Sequence, residues 1–140
     1  MPTINDDIFL LSLDEYSKYK DKIPLIDESW WLRTPGKTSA GEKADLVACV
    51  NKYGSIAMSH SVIRSAAVRP VIKLQSTEET IIKYGTTWVK IDEGLYIAKK
   101  PIVHRVFDKR FTEDVTNQYN KSGIKRFLTY WLQERKSGDE

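Results

Sequence analysis

The sequence is poor in the residues that most chemistry and many staples require: one cysteine and two histidines among 140 residues. A lone cysteine, Cys49 in "DLVACV", excludes an internal disulfide framework and fits a reducing compartment as a small buried hydrophobe. Long apolar runs are absent as well. No stretch approaches the roughly 20 apolar residues of a membrane span. The opening "MPTINDDIFLLSLDEY" sets acids before a short apolar run, the reverse of a secretory signal, so a soluble cytoplasmic chain without membrane contact is expected. Charge of one sign is also missing. The net charge is +3; up to Gln75 there are 10 basic and 9 acidic residues, and after it 12 and 10. Neither half is a basic arm, so bulk attraction to nucleic acid or membrane is not expected. The patterns G-x-G-x-x-G, G-x-x-x-x-G-K-[ST], H-E-x-x-H and C-x-x-C do not occur, which removes the minimal residues of dinucleotide, P-loop, zinc-protease and thiol-redox sites. No EF-hand loop pattern is present, and no metal or cofactor is expected.

What remains is an ordinary globular composition, 41% hydrophobic and 29% charged, in a chain of single-domain length. "IFLL" reads as a short buried strand. Ser12 and Glu15 then have the S-x-x-E spacing of a capping box, which starts a helix at Ser12 that Pro24 closes. From "WWLR" to "VRPVIKL", turn signals at Pro35-Gly36, Ala40-Gly41 and Tyr53-Gly54 divide the chain into short antiparallel strands. "DLVACVNKYGSIAMS" reads as a hairpin turning between Asn51 and Gly54, and Pro70 should stand where its strand is unpaired. "TIIKYGTTWVKIDEGLYIAKKPI" adds two or three strands with a turn at Asp92 to Gly94. In "KSGIKRFLTYWLQER", Ile124, Phe127, Leu128, Trp131 and Leu132 form one apolar stripe on a helix, after which "KSGDE" should fray.

Few residues suggest chemistry. A Cys49 nucleophile would need His60 or His104 as its base. His104 alternates with apolar neighbours and reads as a structural strand residue. The acid pairs Asp6-Asp7, Asp27-Glu28 and Glu113-Asp114 flank turns or helix starts, where carboxylates cap. Lys121, Lys125 and Arg126 near the start of the last helix form a basic face, a weak candidate for nucleic-acid contact. Trp30 and Trp31, adjacent on one strand, should point to opposite faces, with one in the core and the other under a helix or the loop layer. Arg33 is expected on the face of Trp31, tying loop carbonyls, with Pro35-Gly36 ending the strand.

The segments "NDDIFLLSLDEYSKY", "WWLRTPG", "VNKYGSIAMS" and "AVRPVIKL" resemble, in that order, the C-terminal half of a large bacterial family, domain of unknown function 6273. Residues 81–135 resemble its N-terminal half, with Tyr119, Ser122, Ile124, Arg126 and Leu128 standing on the helix motif. The two halves come in exchanged order, as a circular permutation or, alternatively, as two truncated copies head to tail that each need a partner chain. The resemblance implies an α+β fold of small twisted antiparallel sheets with two helices, C-type-lectin-like and circularly permuted. Residues 1–74 would be one half, 75–80 the join and 81–135 the other half of a single domain. It also implies that "VRPVIKL" and "TTWVKIDE" are antiparallel neighbours and that "IFLL" starts near the end of "YWLQER". Trp30, Trp31, Arg33, Arg69, Trp88 and Trp131 are expected to be structural.

For function, the resemblance implies a binding module rather than an enzyme. Enzymes of this fold such as sulfatase-activating oxidases need a cysteine pair, and its calcium lectins need E-P-N or Q-P-D motifs absent here. A protein partner is expected to meet the loops after "WWLRTPG", with Lys37, Tyr53, His60 and Arg64 as contact candidates because arginine and aromatics dominate interfaces. Self-association and nucleic acid are secondary partner candidates. The alternative from another class is a phage or mobile-element inhibitor of a host defence nuclease.

Overall fold

A computed structural model describes residues 7–108 and 116–138, with backbone alone at positions 42 and 44; the Glu113-Asp114 pair and Asp6 lie outside the described residues. Strand β1 (Ile8–Phe9) leads into helix α1 (Leu13–Tyr19). Both halves of the expected capping box form: the Glu15 amide donates to the Ser12 hydroxyl at 3.1 Å, and the Ser12 amide donates to the Glu15 carboxylate at 2.8 Å. Such a cap stabilises by about 1 kcal/mol. A 3-10 turn at Lys20–Lys22 follows, and Pro24 then turns the chain away from helix.

Strands β2 (Trp30–Thr38), β3 (Gly41–Val50), β4 (Ile56–Ser61) and β5 (Ala66–Val68) come next, then β6 (Val71–Lys73), β7 (Thr80–Lys83), β8 (Thr86–Asp92), β9 (Leu95–Ala98) and β10 (Val103–Arg105). They make two five-stranded sheets, ordered β1-β6-β9-β8-β7 and β10-β5-β2-β3-β4. Every pairing is antiparallel except β2 with β5. The fold is therefore α+β, with two α-helices and two mostly antiparallel sheets. Pro70 stands outside any strand, where the chain crosses from the second sheet to the first, so its missing N–H costs no ladder bond. Tyr84 and Gly85, both at positive φ, close a two-residue hairpin between β7 and β8, and Glu93-Gly94 closes the next.

Helix α2 (Gly123–Gly138) buries Ile124, Leu128, Trp131 and Leu132, the stripe read from the spacing, with Phe127 half-buried beside it. Its start is held twice. The Lys125 amide donates to the Ser122 hydroxyl at 3.2 Å, and the Gly123 amide donates to the buried Asp108 carboxylate at 2.9 Å. Trp131 meets Trp88 of β8 edge-on, with ring centroids 6.3 Å apart, so the helix packs against the first sheet. The Lys136 ammonium lies 3.5 Å from the Asp7 carboxylate, which puts the start of "IFLL" beside the end of α2, as expected.

Four expectations need correction. β6 and β8 share a sheet but are not neighbours: β9 lies between them, pairing Val71 with Ile97 and Ala98 with Trp88. The connection from β6 to β7, residues 74–79, consequently passes the ends of two strands to reach β7 at the edge, with the Tyr96 hydroxyl reaching the carbonyls of Ser76 (3.3 Å) and Glu78 (2.6 Å). Second, β2 does not stop at Pro35-Gly36; it runs through to Thr38, with register shifts on either side of Pro35. Gly36 serves close approach rather than a turn, because a Cβ there would sit 2.2 Å from the Met58 carbonyl oxygen. Third, Arg33 does not keep company with Trp31, since the register shift after Trp31 re-aims the strand toward α1. Fourth, α2 persists through Lys136 to Gly138, where fraying was expected; Asp139 and Glu140 lie outside the described residues.

Candidate functional site

The two tryptophans build the platform. Trp30 points toward α1, meeting the Tyr16 ring edge-on at 5.6 Å, while the Arg69 guanidinium lies over it at 5.1 Å. Trp31 points the other way, against Phe107 (5.5 Å) and His60 (4.7 Å), and its indole N–H donates to the Arg105 carbonyl at 2.9 Å. Both are buried, on opposite faces, as alternation requires. Arg33 donates to the Leu10 carbonyl (2.7 Å) and pairs with Glu15 (2.5 Å), fastening β2 to the start of α1. Arg69 donates to the carbonyls of Ala98 (2.7 Å) and Lys99 (3.1 Å), fastening the β5–β6 crossover to β9. Burial lowers the Arg69 guanidinium to about 10, the nearby Tyr16 opposing slightly.

On this platform β2 and β3 extend as a hairpin arm beyond Pro35 and Val47. Lys37 lies exposed on the arm, paired in register with Glu42, and Thr38 pairs with Gly41 around its tip. The Asn117 side-chain amide braces its base by donating to the carbonyls of Lys43 (2.8 Å) and Leu46 (3.0 Å). The turn from Ser61 to Ser65 stands beside that base, because Ser61 pairs with Leu46 and the Val62 amide donates to the Asp45 carbonyl at 2.9 Å. Val62 is buried, whereas Ile63 is 57% exposed and Arg64 projects next to it.

The four expected contact residues are therefore not one cluster. Lys37, His60 and Arg64 belong to the arm end of the sheet. Tyr53 lies in the β3–β4 turn at the opposite end, where the Tyr16 hydroxyl donates to the Gly54 carbonyl at 2.8 Å. His60 is half-buried against Trp31, and its Nε2 has no hydrogen-bond partner among the described residues. Burial holds its imidazole below the ordinary histidine value, with a Ser65 backbone hydrogen bond opposing and the Arg64 charge adding. Its ring packs the end of β4, next to the Ser61–Ser65 turn, against the Trp31 indole. Reading single residues missed Ile63 and Asn117. Ile63 lies in a turn, where no strand period marks its exposure, and Asn117 had no local signal because its acceptors lie over 70 residues away.

Elsewhere, Lys121, Lys125 and Arg126 lie at or just before the start of α2, and the Arg105 guanidinium stands 4.9 Å from the Phe127 ring centre. Burial, then the Arg126 charge, lowers the Arg105 guanidinium, and Asp108 opposes. Cys49 is buried and desolvation raises its thiol to about 11, so the thiolate is scarce at neutral pH. His104 on β10 is exposed and bonds the Glu28 carboxylate, tying the loop before β2 to β10. Among the described residues no three His, Cys, Asp or Glu side chains gather as a metal site, and no helix is long and apolar enough to cross a membrane.

No curated protein and no solved structure matches the chain. One family does, described as Domain of unknown function (DUF6273), over residues 1–76, which carry β1 to β6, the tryptophan platform, the arm and the Ser61–Ser65 turn. The match spans more than half of the 140 residues, and the chain belongs to this family.

Proposed function

We propose that this chain is a non-enzymatic recognition module that meets a protein partner through the β2–β3 arm and the neighbouring Ser61–Ser65 turn. One observation carries the reading: an exposed aliphatic and arginine pair, Ile63 and Arg64, projects beside an arm whose base Asn117 braces. Loops on a braced scaffold lose little conformational freedom on binding, and an arginine next to an apolar side chain is a common composition for an interface centre. Photo-crosslinking residues placed at Lys37, Arg64 and Tyr53 test it. The same protein should be captured from Lys37 and Arg64 but not from Tyr53; equal capture from all three positions, or turnover that survives Arg64→Ala with Ile63→Ala, overturns it.

The architecture is read as lectin-like and circularly permuted, a single domain with residues 75–80 as the join. In support, each sheet combines strands from both sides of the join, and Asp7 lies beside Lys136. A reordered chain, with residues 81–138 placed before 7–74 through a short new linker, should fold with a single cooperative transition. Failure of the reordered chain to fold cooperatively counts against the permutation. A second reading, an inhibitor of a host defence nuclease, draws on the Arg105 and Arg126 guanidiniums at the start of α2, a surface suited to nucleic-acid phosphates.

A further inference from the structure

Tyr53, separated from the other candidate residues, leads to a different surface. Its neighbour Gly54 is touched by Leu25, whose Cδ2 stands 3.0 Å from where a Cβ would be. Leu25 is 65% exposed and Tyr53 is 74% exposed, with the Lys52 ammonium 5.3 Å from the Tyr53 ring centre. Beyond Leu25 a groove of about 350 Å³ opens, walled by Pro24, Leu25 and Ile26 on one side and by Lys99, Lys100 and Pro101 on the other. A single exposed leucine is ordinary, but a concave strip of leucine, isoleucine and two prolines is not. The prolines restrict both loops to conformations they already hold, so little ordering is required when the groove fills.

Charge decides what fits. Lys99 and Lys100 are exposed and make no salt bridge among the described residues. Behind them the Arg69 guanidinium is fully buried, hydrogen-bonded to the Ala98 and Lys99 carbonyls, with no carboxylate against it and no partner for Nη1 among the described residues. Two lysines thus line this wall with a buried guanidinium behind it, and low-dielectric surroundings project their field into the groove. The opposite lip carries Asp27 and Glu28, but the Glu28 carboxylate is bonded to His104. A basic segment would meet the lysines, and a nucleic acid would bring phosphates to Asp27 and leave the apolar strip unused.

We infer that this groove binds an extended peptide segment of a partner protein that combines apolar and acidic side chains, seating the apolar ones on Leu25, Ile26 and Pro101 and the carboxylates on Lys99 and Lys100. The surface is separate from the arm, and the two tests use different probes, photo-crosslinked protein for the arm and displayed peptide for the groove. Panning a random-peptide display library against the full chain tests it, followed by fluorescence anisotropy of the consensus peptide. The consensus should pair Asp or Glu with aliphatic or aromatic residues. Leu25→Asp should weaken its binding about tenfold, and so should Lys99→Glu combined with Lys100→Glu, while Tyr130→Ala on the exposed face of α2 leaves it unchanged. All these side chains are exposed, and thermal melts of each variant verify that the fold persists. No consensus, a consensus without acids, or binding indifferent to the groove variants overturns the inference. Self-association that Leu25→Asp abolishes assigns the groove to a second copy of the chain, and overturns it too.

Discussion

The seam between β2 and α1 and the seam between β5 and β9 solve the same problem in different ways. Each is closed by a buried arginine lying over an aromatic ring, Arg33 over Phe9 at 5.7 Å and Arg69 over Trp30 at 5.1 Å. Arg33 has a carboxylate, Glu15, which also caps α1. Among the described residues Arg69 has carbonyl dipoles and the ring face but no carboxylate, and burial depresses its ionisation accordingly. A paired guanidinium neutralises its charge and makes its seam depend on pH; an unpaired one leaves its charge to act on the surface above it.

The largest expected effect is at the unpaired seam. Arg69→Ala should cost about 3 kcal/mol in urea unfolding, because two buried carbonyls lose their donors and a cavity opens beside Trp30. Arg69→Met, which keeps most of the volume and removes the uncompensated charge, should cost clearly less. Equal losses for the two variants would mean that the hydrogen bonds alone matter. At the paired seam, Glu15→Gln should cost about 2 kcal/mol, through the lost ion pair and a weakened cap, with the estimate held down because Glu15 is partly exposed.

The same variant sharpens the contrast through pH. Burial opposes ionisation of Glu15, but the Arg33 guanidinium and the Ser12 amide outweigh it, leaving the carboxyl below the ordinary value of 4.5. A depressed carboxyl stabilises fully above its unfolded value, and the contribution is lost as pH falls through the folded one. Stability of the wild type should therefore decline below about pH 4.5, less steeply in Glu15→Gln, and with unchanged steepness in Arg69→Met. A slope that flattens in Arg69→Met instead would join the two seams into one electrostatic unit.

Local order was legible wherever local physics sufficed. The Ser12 cap, the α2 stripe and the turns at Asn51 to Gly54 and Asp92 to Gly94 all rest on interactions within a few residues, and all formed. Pro35-Gly36 misled for the opposite reason. The pair favours reversal locally, yet the β4 backbone crowds Gly36 so closely that only a residue without Cβ can continue the strand. The proximity of β6 and β8 was expected from their order in the family, and β9 between them shows that strand order depends on pairing partners far apart in the chain. The contact residues were legible as exposed positions but not as a group: a six-residue strand, β4, is enough to place Tyr53 and Arg64 at opposite ends.

By itself the sequence determined the class of the fold, the family, the helix boundaries at Ser12 and along the Ile124 to Leu132 stripe, and the opposed faces of Trp30 and Trp31. The helices and the opposed tryptophans follow from side-chain period and backbone chemistry, which act over one or two turns; class and family follow from the resemblance of the motifs. Only the tertiary structure decided that Arg33 meets Glu15 while Arg69 meets no acid among the described residues, that Asn117 braces the arm, and that Leu25 faces Lys99 across a groove. Those arrangements join residues between 18 and 74 positions apart, and no short-range preference carries information over such distances.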